Sequence, residues 1–195
     1  MCLAALASCG NRAPKSELQK KVDAYAVFQI GSPYMEGISD NGKEVLNLFR
    51  KAADEADNIF WQQTFGDKNA ILSLPDGAAK DLALINYGPW DRMDNNAPFI
   101  EGYGERPAGA NFYPADMTKE EFDALEDPAK FSPYTLSGRG EDGKLKVVWY
   151  HEAYEESIDK SCGYLESAAT MTVKQSVRNY LLKRVEALRT DSYKE

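Results

Sequence analysis

The only histidine of the chain, His151, is followed at once by Glu152 in the stretch KVVWYHEAYEES, residues 146–157. Opening a helix, such a pair could bind a metal through the imidazole and activate water through the carboxylate. That chemistry needs a second imidazole one turn later, so that both rings reach a single ion. Positions 155 and 156 are both glutamate. Neither H-E-x-x-H nor the one-residue-longer H-E-x-x-x-H is completed, and His151 is expected at a strand-to-helix junction. Glu152, Glu155 and Glu156 then fall in first turns, where negative charge suits the helix dipole.

The other candidates for chemistry are weaker. GYGERPAG, residues 102–109, has the glycines of a phosphate-cradling loop but lacks both G-x-G-x-x-G and a G-K-[ST] ending, and Pro107 removes an amide. No G-x-S-x-G elbow supplies a nucleophile for His151. Asp91, Asp94, Glu101 and Glu105 share a loop, but nothing in their spacing selects them from 31 acids. The residues therefore assign no catalytic, cofactor or metal position within this chain.

The elements that would position a site are mostly helical. Ser16 with Gln19 is a capping-box signature opening a helix to about Gln29, with Leu18, Val22, Tyr25 and Ala26 on one face. KEVLNLFRKAADEADNIFWQQTF, residues 43–65, keeps Val45, Leu48, Phe49, Ala52, Ala53, Ala56, Ile59 and Phe60 at helical spacing, with charge on the opposite face. A short helix covers GAAKDLALINY, residues 77–87. Thr118 and Glu121 form a second capping box, for a helix through Leu125.

YTLSGRGEDGKLKVVWY, residues 134–150, reads as a hairpin whose Asp142-Gly143 suits a type I′ turn, with Leu145, Val147 and Trp149 alternating against Lys146, Val148 and Tyr150. Two closing helices span 151–168 and 173–190. Thr172 with Gln175 caps the second, whose inner face is Val173, Val177, Leu181, Val185 and Leu188. Cys162, at helical spacing from Tyr154, Ile158 and Leu165, reads as a small core residue.

Between Pro89 and Pro114 the chain is rich in proline, glycine and aromatic residues. Proline lacks a backbone donor and glycine favours turns, which excludes a regular helix or central strand. Yet Trp90, Phe99, Ile100, Tyr103, Phe112 and Tyr113 carry apolar area that gains about 25 cal/mol per Å² on burial. An ordered, irregular loop wrapped over the helices is predicted. Trp90, Tyr103 and Tyr113 are its candidate ligand contacts, with a packed connector as the alternative.

Composition narrows the partners. Lys plus Arg number 23 against 31 Asp plus Glu, a net charge of −8, and the bases are scattered, which argues against a nucleic-acid surface. Cys2, Cys9 and Cys162 are too few for a disulfide framework. Leu6-Ala7-Ser8-Cys9 ends an apolar run and resembles the lipobox of bacterial lipoproteins, in which the cysteine is acylated after cleavage. The basic segment and full apolar region of a working signal are missing. A signal that has lost its beginning is expected over residues 1–15 with the linker, the alternative being a disordered apolar terminus. Acylated Cys9 implies contact with a membrane only through a lipid anchor, and a place in the bacterial cell envelope, facing the periplasm or on the outer membrane.

NYGPWDRMDNNAPFIEGYGERPAGANFYPADMTKEEFDAL, residues 86–125, carries a resemblance through YGPWDR, PFIEG and PAGANFYPADMT, together with LLKRVEALRTDSYKE at 181–195. It is similar to bacterial proteins of the dipeptidyl peptidase III family of zinc metallopeptidases. The resemblance implies a two-lobed enzyme that removes dipeptides from peptide amino termini, with zinc held by H-E-x-x-x-H and a later glutamate motif. In related proteins a G-x-I-E-x-Y strand that binds substrate follows the helix corresponding to 173–190.

None of those residues is matched here, so no family catalytic residue carries over to this sequence. The chain is expected to be α+β, mainly helical with one β-hairpin and the long loop. It would be a partial domain, residues 16–195, of a larger two-lobed protein. Its expected partners are the missing carboxy-terminal catalytic lobe and, in the full-length protein, a peptide substrate; zinc belongs to the full-length family and no cofactor to this chain. The other readings are a lipid-anchored binding module using residues 90–113 for a peptide or sugar, and a truncated product that is only partly folded.

Overall fold

The computed structural model describes residues 14–29, 31 and 33–193. Cys9 and the remainder of the lipobox-like stretch lie outside these residues. Eight α-helices, two short 3₁₀ helices and two small antiparallel sheets are present among the described residues. α1 is Glu17–Asp23, capped by the Ser16 hydroxyl, which accepts from the Gln19 N–H. It ends six residues before the predicted Gln29; the Ala24 N–H bonds back to carbonyls of the last turn, and the chain beyond leaves Val27 and Phe28 exposed. With no apolar partner for that segment, helical propensity alone does not extend it.

α2, Asp40–Thr64, is the longest element and begins at a Ser39 cap. Leu48 and Ala52 are buried, with Val45, Phe49 and Ile59 packed beside them, as its periodicity predicts. Ala53 and Ala56 are exposed instead, and Phe60 is only partly covered, while the neighbouring Trp61 is buried. Thirteen residues at about 100° each carry Trp61 roughly 140° round the axis from Leu48. The helix thus buries one face early and another face late.

Each face has its own core. The first joins α2 to α7, Glu155–Met171, and α8, Gln175–Thr190, around Ile158, Cys162, Leu165, Leu181 and Val185. Cys162 is completely buried there, in agreement with its helical spacing, and burial pushes its thiol pKa up. The second core sets Trp61 against Ile71 and Ala83, from α3, Lys68–Leu72, and α4, Ala78–Asn86. The sequence reading places α4 but not α3, a single turn started by the Asp67 side chain.

The carboxy-terminal half departs from expectation in three places. The segment predicted as one helix from His151 is broken into α6, Tyr150–Ala153, and α7, because Tyr154 between them has φ −123° and ψ 30° and turns its ring into the core. Val173, expected on the inner face of α8, precedes the helix and is 91% exposed; Lys174 stands at the N-cap with no side-chain cap bond. The hairpin of β3, Thr135–Arg139, and β4, Leu145–Trp149, pairs in the predicted place, but not through a type I′ turn. Only Gly143 is left-handed, at φ 77°, and Gly140 bonds both Gly143 and Lys144 across a three-residue loop with a glycine bulge. A 3₁₀ turn at Pro128–Phe131 leads into β3 from α5, Lys119–Ala124, where the predicted Thr118–Glu121 capping box is fully formed.

Burial of Tyr154 pushes its phenol pKa up to about 12. A phenol that holds its proton longer folded than unfolded contributes stability below the ordinary value near 10 and loses it as pH rises toward 12. Chemical denaturation across pH 10 to 12 is expected to show this loss, of roughly 2 kcal/mol from Tyr154. Tyr154→Phe should flatten the fall without abolishing it, since burial also raises Tyr150 and Tyr193. An unchanged slope in that variant contradicts the assignment.

Candidate functional site

The loop from Pro89 to Pro114 is ordered, as its aromatic content predicts, and its hydrogen bonds explain how an irregular segment holds one shape. Tyr87 and Gly88 end α4 in left-handed conformations, and Pro89 then lies fully buried. A two-residue ladder follows: β1, Trp90–Asp91, pairs antiparallel with β2, Ala97–Pro98. It is a strand pairing that the proline and glycine content did not suggest. Further along, the Asn111 N–H and side-chain amide donate to the carbonyls of Gln63 and Gln62, tying the loop to the end of α2.

Two acids of this loop are distinguished from the rest by their surroundings. The Asp91 side chain is buried; one oxygen accepts from the Met93 N–H and the other sits 2.6 Å from the Lys21 ammonium. The same ammonium lies 2.7 Å from Asp94. Two carboxylates hold the Lys21 proton well above the usual lysine range. A buried carboxylate is costly unless paired and hydrogen-bonded, and Asp91 is both. Its contacts fasten α1, which also packs on α4, to the loop. Glu101 and Glu105 remain exposed.

The three aromatic candidates do not converge on one place. Trp90 is 9% exposed, donates its indole N–H to the Gly104 carbonyl at 2.9 Å, and packs edge-on against Phe65 and Tyr103. Tyr103 completes that trio against Phe65. Both rings thus serve the interior of the loop. Tyr113 stands apart, 36% exposed, with its ring against the backbone of Gly109.

Tyr113 instead lines an open cleft of about 520 Å³ with Phe112, Met117, Phe122, Lys130 and Leu136. The cleft lies between the loop, α5, the 3₁₀ turn and β3, and a single backbone bond, from the Ser137 N–H to the Phe112 carbonyl, joins its two sides. Tyr113 is legible in the sequence as a candidate ligand contact, whereas the opposite wall is not. The capping box predicts α5, yet nothing in the pattern says that its Phe122 faces residues on β3.

His151 is accounted for structurally. Its Nδ1 lies 2.7 Å from a carboxylate oxygen of Asp191, and the same oxygen accepts the His151 backbone N–H at 3.0 Å. Asp191 therefore caps the first turn of α6 from 40 residues away in sequence. Among the described residues no group of three or more His, Cys, Asp or Glu side chains is placed to hold a metal ion.

No protein-family model matches the chain. Nudix hydrolase 3 of Arabidopsis thaliana is 22% identical over 241 aligned residues, which cover 91% of this chain and 31% of that protein. The solved structure of DPP III from Caldithrix abyssi matches with a TM-score of 0.81 and 31% identity over 90% of this chain and 35% of that one. Dipeptidyl-peptidase III from Corallococcus sp. strain EGB matches equally well in fold, with a TM-score of 0.81 at 25% identity and the same coverage. The chain resembles dipeptidyl-peptidase III. It spans about a third of the length of the proteins it matches. The mainly helical α+β fold read from the sequence is the one observed.

Gly109 has φ +77°, and a Cβ there would come within 2.0 to 2.3 Å of the Tyr113 ring. Gly109→Ala is expected to displace that ring and to cost about 1 to 3 kcal/mol, through backbone strain and lost packing. Urea denaturation followed by circular dichroism measures this, and wild-type stability in the variant would contradict the placement of Tyr113.

Proposed function

We propose that this chain is the amino-terminal scaffold of a dipeptidyl-peptidase III-like protein. In that reading the whole protein hydrolyses peptides to release amino-terminal dipeptides, and this portion supplies a rigid part of the framework beside the catalytic lobe. The observation that supports it most is the agreement in fold over 90% of the chain at 31% identity. The aromatic loop contributes a fixed shape: its buried Trp90 and its fastenings through Lys21 and Asn111 hold it on α1 and α2. Zinc, which the resemblance implies for the family, does not fit the residues described here. The single imidazole is engaged by Asp191, and no cluster of ligating side chains surrounds it. No step of the hydrolysis is therefore assigned to this chain.

The purified 195-residue chain, supplied with zinc, is expected not to release dipeptides from a dipeptidyl-naphthylamide substrate. Mixing with the remaining, zinc-motif-bearing portion of a related enzyme is expected to form a complex on size-exclusion chromatography. Chelator-sensitive release by the chain alone, or failure of the two portions to associate, counts against the proposal.

Anchoring at Cys9 in the bacterial envelope belongs to the same reading and rests on the Leu6-Ala7-Ser8-Cys9 order. Metabolic labelling of the protein in its native host with a clickable fatty acid is expected to mark it, and Cys9→Ala to lose the label. Equal labelling of both forms excludes acylation at this position.

A further inference from the structure

We propose that the cleft beside Tyr113 binds the carboxy-terminal residue of a short peptide, taking an apolar side chain between its aromatic walls and the α-carboxylate on Lys130. The inference goes beyond the peptidase reading and does not depend on it, since binding is read in this chain by itself.

Charge sets one wall of the cleft apart. The chain carries a net charge of −8, and most of its lysines and arginines that are held in place have carboxylate partners. Lys130 differs. Its ammonium donates to the carbonyls of Phe122 and Asp123 at 2.7 and 3.2 Å, and lies 4.9 and 5.2 Å from the ring centres of Phe122 and Phe131. Neutral carbonyls and ring faces orient the cation without cancelling its charge. The carboxylate of Asp123 is paired with Lys119, 2.7 Å away. A partly buried lysine that has no carboxylate partner among the described residues, on the wall of an open cleft, is a point of attraction for an anion.

The remaining walls define the rest of the ligand. Phe112, Tyr113, Met117 and Leu136 present apolar and aromatic surface, and a volume of about 520 Å³ accommodates one large side chain with its neighbouring backbone. Apolar walls with a few convergent polar groups are the usual composition of a small-molecule site. β3 supplies the third element. Tyr134 and Gly140 bond toward β4, so the odd-numbered Ser137 faces away from it, as its N–H bond to Phe112 also shows. Its carbonyl lies on this outer edge and accepts no hydrogen bond among the described residues. A peptide amide N–H can donate to it, whereas a simple fatty acid has no such donor.

Isothermal titration calorimetry of the full chain tests this with N-acetyl-phenylalanine, its carboxamide, the tripeptide Gly-Gly-Phe and octanoate. The two acids with an amide are expected to bind, the carboxamide about tenfold more weakly, and octanoate more weakly than either acid. Lys130→Met is expected to erase the preference for acid over amide, while Lys130→Arg keeps it. Lys130 also ties α5 to the turn after it, so circular dichroism accompanies each variant. Should Lys130→Met not fold, Met117→Trp, which fills the cleft and leaves that tie intact, is expected to weaken N-acetyl-phenylalanine about tenfold. The proposal is overturned by no binding of the acids up to about 10 mM, by equal binding of acid and carboxamide, or by a preference that survives Lys130→Met. Unchanged affinity in Met117→Trp, or octanoate binding more tightly than Gly-Gly-Phe, has the same force.

Discussion

The structure depends on α2 burying two different faces along one continuous helix. Its 25 residues extend about 37 Å. Leu48 and Ala52 enter the core built with α7 and α8, and Trp61 enters the core built with α3 and α4. One rigid element therefore sets the relation between the two cores. The loop from Pro89 to Pro114 is positioned by the second: Phe99 and Ile100 pack on that cluster, Phe65 at the C-cap meets Trp90 and Tyr103, and the carbonyls of Gln62 and Gln63 accept from Asn111.

Segments with no regular secondary structure still have to satisfy their backbone donors and buried charges. Here that is done across long sequence distances. Asp191, left-handed at the end of α8, accepts the N–H of His151 and engages its ring, closing the first turn of α6 onto the end of the following hairpin of helices. Lys21 meets Asp91 and Asp94, seventy and more residues further on. Such contacts determine where helices break. Beside the capped α6, Tyr154 leaves helical geometry so that its ring can be buried, and a segment with continuous helical pattern becomes two helices.

The cleft follows from the same arrangement. Gly109 in the left-handed region lets the chain turn beneath the Tyr113 ring, and the Ser137 bond to Phe112 holds the loop against β3. Phe122 and Lys130 reach the cleft from α5 and from the 3₁₀ turn after it, whose starts are set locally, by the Thr118–Glu121 box and by the proline at 128. Their meeting with Tyr113 is a product of the connection between those elements.

Much of the fold was legible in the amino-acid order. The apolar periods of α2, α7 and α8, the Ser16 cap, the Thr118–Glu121 capping box, the hairpin and the buried Cys162 all depend on interactions a few residues apart, or on the simple exclusion of apolar area from water; at Ser16 the box is only half made, because the Gln19 side chain donates to Asp23. The wording around YGPWDR and PAGANFYPADMT carried the resemblance to dipeptidyl peptidase III, which the fold comparison supports. What only the tertiary structure decided has a different physical origin. Phe60 and Trp61 are adjacent and comparably apolar, and which one is buried depends on where α3 and α4 dock. Asp91 is one acid among 31 until Lys21 is brought to it. Trp90 and Tyr113 are both aromatic residues of one loop, yet the first is enclosed by Phe65 and Gly104 and the second opens onto a cleft, because burial is a property of neighbours in space that no local spacing encodes.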